Sequence, residues 1–106
     1  MAGPVPKVTQ EELKHVLYYD EFTGIFTWIR TNSNRRKAGS RAGSVETKGH
    51  GKAYVYIRVN NKCYRGHTLA HLYMTGKWPP VGVKSPHLNH DGLDNRWENL
   101  QDGYDD

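Results

Sequence analysis

A chain of 106 residues with 36% hydrophobic side chains, 25% charged ones and a net charge of +4 has material for one small domain and no second core. No apolar run approaches the roughly 18–20 residues of a membrane-spanning helix, and Met1-Ala-Gly-Pro-Val-Pro-Lys7 lacks the apolar stretch of a signal peptide, so a soluble, cytoplasmic protein without a membrane partner is expected. A single cysteine, Cys63, excludes an intramolecular disulfide and a Cys-rich zinc finger and points to a reducing compartment; in a strand it reads as a small buried hydrophobe rather than a nucleophile.

The apolar fraction is low, but seven Tyr, three Trp and two Phe supply large buriable surfaces, which predicts a thin, aromatic-rich core. In chain order, Thr9-Gln-Glu-Glu12 has the capping-box pattern, and Leu13, Val16 and Leu17 follow at helical spacing, predicting a helix from Thr9 to Tyr19. Asp20-Glu-Phe-Thr-Gly24 reads as a turn and Ile25-Phe-Thr-Trp-Ile29 as a strand. Ala53–Val59, Asn60-Asn61 and Lys62–Arg65 read as a hairpin. Its Tyr54 and Tyr56 fall on one strand face, and Val55 and Ile57 on the other. Thr68–Thr75 puts Leu69, Leu72 and Tyr73 on one helical face before Gly76 ends the element.

Charge is segregated along the chain. Residues 30–65 hold ten Lys and Arg against Glu46 alone, whereas residues 91–106 hold six acids against Arg96. Cations mixed with short polar residues and glycine let a backbone approach a polyanion, so the Arg30–Arg41 stretch reads as a phosphate-contacting loop. Arg35, Arg36, Lys37 and Arg41 are its candidate nucleic-acid contacts, joined by Lys48, Lys52 and Arg96; a solvated basic loop is the bland alternative.

From Pro86 onward apolar residues are few and His, Asn and Asp crowd together. The gapless run His87-Leu-Asn-His-Asp-Gly-Leu-Asp-Asn-Arg-Trp-Glu-Asn99-Leu100 resembles the ββα-metal motif of HNH (His-Me finger) endonucleases, in the phage and homing-endonuclease branch. The Tyr19–Gly24 turn, Ala42-Gly43-Ser44, the hairpin, His67-x-Leu-Ala and Gly76-x-Trp-Pro79 fit the same branch, so the resemblance runs from about residue 9 to 101. It implies an α+β fold: an N-terminal helix, a small three-stranded antiparallel sheet, a short helix, and a truncated C-terminal ββα-metal finger. Residues 1–8 would be a flexible tail, 9–101 the domain, and 102–106 an acidic tail. The resemblance further implies DNA as the partner, Mg²⁺ or Mn²⁺ as the cofactor, His87 as general base and Asn99 as the residue that orients it.

The chain departs from the family at two places. Pro86 stands where a metal-binding Asp usually precedes the base histidine, and the third motif residue would fall beyond Asp106. Asp91 with His90 or Asn89 are the substitute metal ligands, since Mg²⁺ needs only one or two carboxylates. Two functions from different classes follow: a metal-dependent DNA-nicking enzyme, or an inert relative that acts as a phage-encoded inhibitor or binding protein directed at nucleic acid or a host nucleoprotein enzyme. His67 reads as a structural residue or as a metal or DNA contact, and His71, one turn on, makes a pair with zinc-binding spacing but no supporting carboxylate or cysteine pattern. Trp28, Trp78 and Trp97 read as core in preference to base-stacking platforms.

Overall fold

Thr9 caps the first helix from both sides. Its hydroxyl accepts from the Glu12 N–H while the Glu12 carboxylate accepts from the Thr9 N–H, and α1 runs Gln10–Val16. The helix stops three residues earlier than its apolar spacing predicts. Leu17 and Tyr19 are buried and Tyr18 is exposed, a period of two, and Leu17–Asp20 becomes β1, paired antiparallel with β2 (Ile25–Trp28). Between them Asp20 closes the turn on the N–H groups of Phe22 and Gly24, and Gly24 takes φ +76.

The computed structural model describes residues 7–31, 36–47, 49, 51–80 and 86–104. Arg35 and Lys48 of the predicted phosphate contacts lie outside these residues, as do His50 and the first six residues of the predicted tail.

The architecture is α+β, with three α-helices and two small antiparallel sheets among the described residues. The three-stranded sheet has the order β3 (Ser44–Thr47), β4 (Ala53–Val59), β5 (Lys62–Arg65). The β4–β5 hairpin matches its sequence signal, with Asn60 and Asn61 both at positive φ, as a two-residue primed turn requires. Its third strand is not Ile25–Ile29, which pairs with β1, but Ser44–Thr47. All four β3 residues are exposed, so no apolar alternation marks them. On its other side β2 meets the segment before β3, through the Thr27–Arg41 bridge and the bonds from Trp28 N–H to the Ser40 carbonyl and from Ala42 N–H to the Phe26 carbonyl.

α2 (Gly66–Thr75) ends at Gly76, φ +77, whose N–H caps Leu72. Leu13, Leu17, Ile57, Leu69, Leu72 and Leu100 form the deepest core, with Tyr19, Phe26 and Tyr73 stacked beside it. Trp28 is buried, and Trp78 and Trp97 pack against the core half-buried. Among the described residues no helix is long and apolar enough to cross a membrane.

Three expectations are corrected here. Val8 belongs to the core rather than a tail: it is buried and its N–H donates to the Tyr64 hydroxyl. Tyr104, expected in an acidic tail, is buried with its hydroxyl donating to the His67 carbonyl, because an aromatic ring gains more by docking than the neighbouring carboxylates lose. Cys63 is exposed, since its position on β5 faces away from the core-facing Tyr64.

Candidate functional site

Residues 86–96 run as successive turns before α3 (Trp97–Leu100) and a 3-10 turn (Gln101–Tyr104). So polar a segment cannot hold itself by burial; it is held by side-chain amides. Asn89 is the hub: its Oδ1 accepts from Asp91 N–H and from Asn99 Nδ2, and its Nδ2 donates to Asp94. Asn99 completes the frame, accepting from Asn89 N–H and donating to the Asp94 carbonyl. The arm then lies on β4 so closely that a Cβ on Gly92 would sit 2.2 Å from the Ala53 carbonyl oxygen.

This frame delivers His87 to the floor of a cleft of about 300 Å³ lined by Lys52, Tyr54, Pro86, Leu88, His90 and Gly103. His87 Nε2 lies 2.8 Å from Asn95 Oδ1. An oxygen acceptor there calls for Nε2–H, which leaves the basic lone pair on Nδ1. Asn95 is itself fixed, 2% exposed, with its carbonyl accepting from the Tyr19 hydroxyl of β1.

A second imidazole stands against the first. The His67 ring, from the first turn of α2, meets His87 edge-on at 5.0 Å between centroids, and Tyr54 packs on both. Burial lowers both affinities for a proton. His67 is brought to about 3 by burial first, then by His87 and Arg65. His87 is also lowered by burial, partly offset by its bond to Asn95 and by the charges of Asp91 and Asp94. Both rings are therefore neutral at pH 7, and a neutral imidazole can accept a proton.

The remaining expected site residues are distributed as follows. His87 and His90 share the cleft with Lys52. Asn99 orients the loop that carries His87 through its side-chain bonds to Asn89 and Asp94, while Asn95 bonds the imidazole itself. Arg96 is turned away from a phosphate role. Its Nε and Nη2 grip Asp94 at 2.8 and 2.7 Å and its Nη1 meets Glu98 at 2.7 Å. That grip holds the Asp94 carboxyl down to about 2.

Asp91 is exposed, its Oδ1 accepting from Leu93 N–H. Among the described residues no three His, Cys, Asp or Glu side chains converge as a metal-binding group. With Asp94 committed to Arg96 and Pro86 before His87, the described side chains do not by themselves complete a divalent-cation site. His71 is occupied elsewhere, its Nδ1 2.8 Å from the Lys77 carbonyl and its ring 4.5 Å from that of Tyr104.

Arg36 and Arg41 meet in a second cleft, while Lys37 is exposed just before the turn that carries Gly39. Sequence reasoning missed Asn95 and Tyr54 as partners of His87. Asn95 had the signal of an amide eight residues after the histidine; Tyr54 had none, since only the fold brings it there.

No family model, curated protein or solved structure matches this chain.

Proposed function

We propose that the chain is an HNH-endonuclease-like DNA-binding protein in which His87 removes a proton from the nucleophile at a backbone phosphodiester seated in the Lys52–His90 cleft. The observation that carries this reading is the anchored, neutral His87 imidazole on the floor of a cleft that also presents a cation. His87 is buried at the floor of that cleft, with Lys52 and His90 among the residues that line it. Lys52 supplies charge to a phosphate oxygen, and Asn95 holds the ring in the tautomer that keeps Nδ1 basic.

The test is nicking of supercoiled plasmid with Mg²⁺, with Mn²⁺ and with chelator, for the parent and for His87→Ala and His87→Gln. The reading expects cleavage that drops about 100-fold or more in both variants. Cleavage at the parental rate in either variant sinks it.

A second reading has its own observation: Pro86 in place of a carboxylate and no converging metal-ligand group among the described residues. On that reading the chain is an inert relative that occupies nucleic acid or a host nucleoprotein enzyme. Plasmid retardation without nicking in any lane would favour it.

A further inference from the structure

A second cleft, about 350 Å³, lies between segments distant in sequence: Trp28 at the end of β2, Arg36 and Arg41 from the following loop, and Ser44, Tyr56 and Arg58 of the three-stranded sheet. The Arg36 guanidinium rests 5.4 Å from the Trp28 ring centroid, and the backbone of Arg41 is fixed to β2 by the Thr27 bridge. Arg58 extends from the exposed side of β4. Among the described residues no acid lines this cleft. Three guanidiniums, charged at any working pH and shaped for bidentate phosphate contacts, gather around one depression with a serine hydroxyl among them.

The sheet relates this cleft to the one at His87. Tyr54, Tyr56 and Arg58 alternate along β4 and so share a face. Tyr54 lines the histidine cleft, and Tyr56 and Arg58 line the arginine cleft. Four residue-to-residue steps along the strand lead from Tyr54 to Arg58, about 13 Å at roughly 3.3 Å per step. That spacing corresponds to the rise of about four nucleotides in one strand of a duplex.

We infer that the Arg36–Arg41–Arg58 cleft is a second phosphate seat, which holds the backbone of the same nucleic acid a few nucleotides from the phosphodiester at His87. The inference rests on the nucleic-acid reading above, though not on hydrolysis. It adds Arg58, which the basic run of the sequence does not contain, and leaves Arg96 out. Among the described positions of this sheet face the acidic residue is Glu46, opposite Tyr54 in the register, and it sets the affinity below what the cations alone would give.

Trp28 lines the seat and reports on it. In a Trp78→Phe/Trp97→Phe background its emission is titrated with a single-stranded 20-mer, the corresponding duplex and inorganic phosphate at fixed ionic strength. In the unmodified chain the salt dependence of DNA binding is measured by anisotropy.

DNA is expected to change Trp28 emission. Arg41→Ala and Arg58→Ala should each weaken binding and lower the salt slope by about 0.9 for duplex or about 0.7 for single strands. Glu46→Gln should tighten binding, and His87→Ala should leave the Trp28 response in place. DNA that binds with Trp28 silent and the slope unmoved by both arginine variants overturns the seat and spares the His87 reading. A Trp28 response with no nicking in any lane keeps the seat and removes the hydrolytic reading. A response to inorganic phosphate but not to DNA, or no DNA binding at all, overturns the inference.

Discussion

Asn95 joins three parts of the molecule: its carbonyl takes the Tyr19 hydroxyl from β1, its Oδ1 takes His87, and its Nδ2 lies 2.8 Å from where a Cβ on Gly66 would stand at the start of α2. Replacing it by Ala strands a buried His87 N–H and is expected to cost about 1–3 kcal/mol. It also removes an interaction that raises the His87 proton affinity, so the imidazole should titrate at a still lower pH, followed by NMR. Asn95→Asp sets a carboxylate against the ring and should move that titration upward. Asn99→Ala should destabilise the arm with little change in the His87 titration, because Asn99 bonds the loop and not the ring. Equal shifts in Asn95→Ala and Asn99→Ala would show that the bond at Asn95 is not what tunes the histidine.

The C-terminal arm depends on glycines for its seat. Gly92 has no positive φ to require it, yet a Cβ would meet the Ala53 carbonyl oxygen at 2.2 Å and the Tyr54 ring at 2.7 Å. Gly92→Ala therefore has to lift the arm from β4, at about 1–3 kcal/mol, and should return the His87 titration toward its ordinary value as water enters. Gly49→Ala, with nothing within 4 Å of the added carbon, is the control and should stay within about 0.5 kcal/mol in the same denaturation measurement. If Gly92→Ala is as mild as Gly49→Ala, the arm is not held to β4 by close backbone contact.

The same elements mark what the sequence made legible. The capping box, the Asn60-Asn61 turn and Gly76 are local chemistry that specifies local backbone, and each formed where its residues predicted. β1 was hidden because Leu13, Val16 and Leu17 continue a helical spacing, and only pairing with β2 decides for the strand. β3 was hidden because an exposed edge strand needs no apolar residues. At the site, His87 carried its own signal in the run to Leu100, whereas its contacts to Tyr54 and His67 are tertiary and leave no mark on spacing. Arg58 belongs to the arginine cleft through the sheet register, which a charge count along the chain does not resolve.

Burial of two neutral imidazoles makes the stability of the entire molecule depend on pH in a window apart from that of its carboxylates. In the unfolded chain His67 takes a proton near 6.5, and in the fold only near 3. Below 6.5 the unfolded state therefore binds more protons, and unfolding free energy falls by about 1.4 kcal/mol per pH unit for this one residue. His87, lowered by the same burial, adds to the fall. Above 6.5 the contribution is fully present and the slope vanishes. Asp94 acts lower: held at about 2 against 3.8, it stabilises above 3.8, and that stability is lost only as pH drops toward 2. Urea denaturation at pH 7.5, 6.5, 5.5 and 4.5 should show a plateau and then a decline. His67→Phe, which keeps an aromatic ring against His87 and Tyr54, should flatten the decline to the part owed to His87. Asp94→Asn should lower the plateau and, because its charge raises the His87 proton affinity, change the slope between 6.5 and 4.5 only by steepening the part owed to His87. A decline unchanged in His67→Phe would mean that the ring is protonated within the fold, and the neutral pair at the centre of the site would have to be given up.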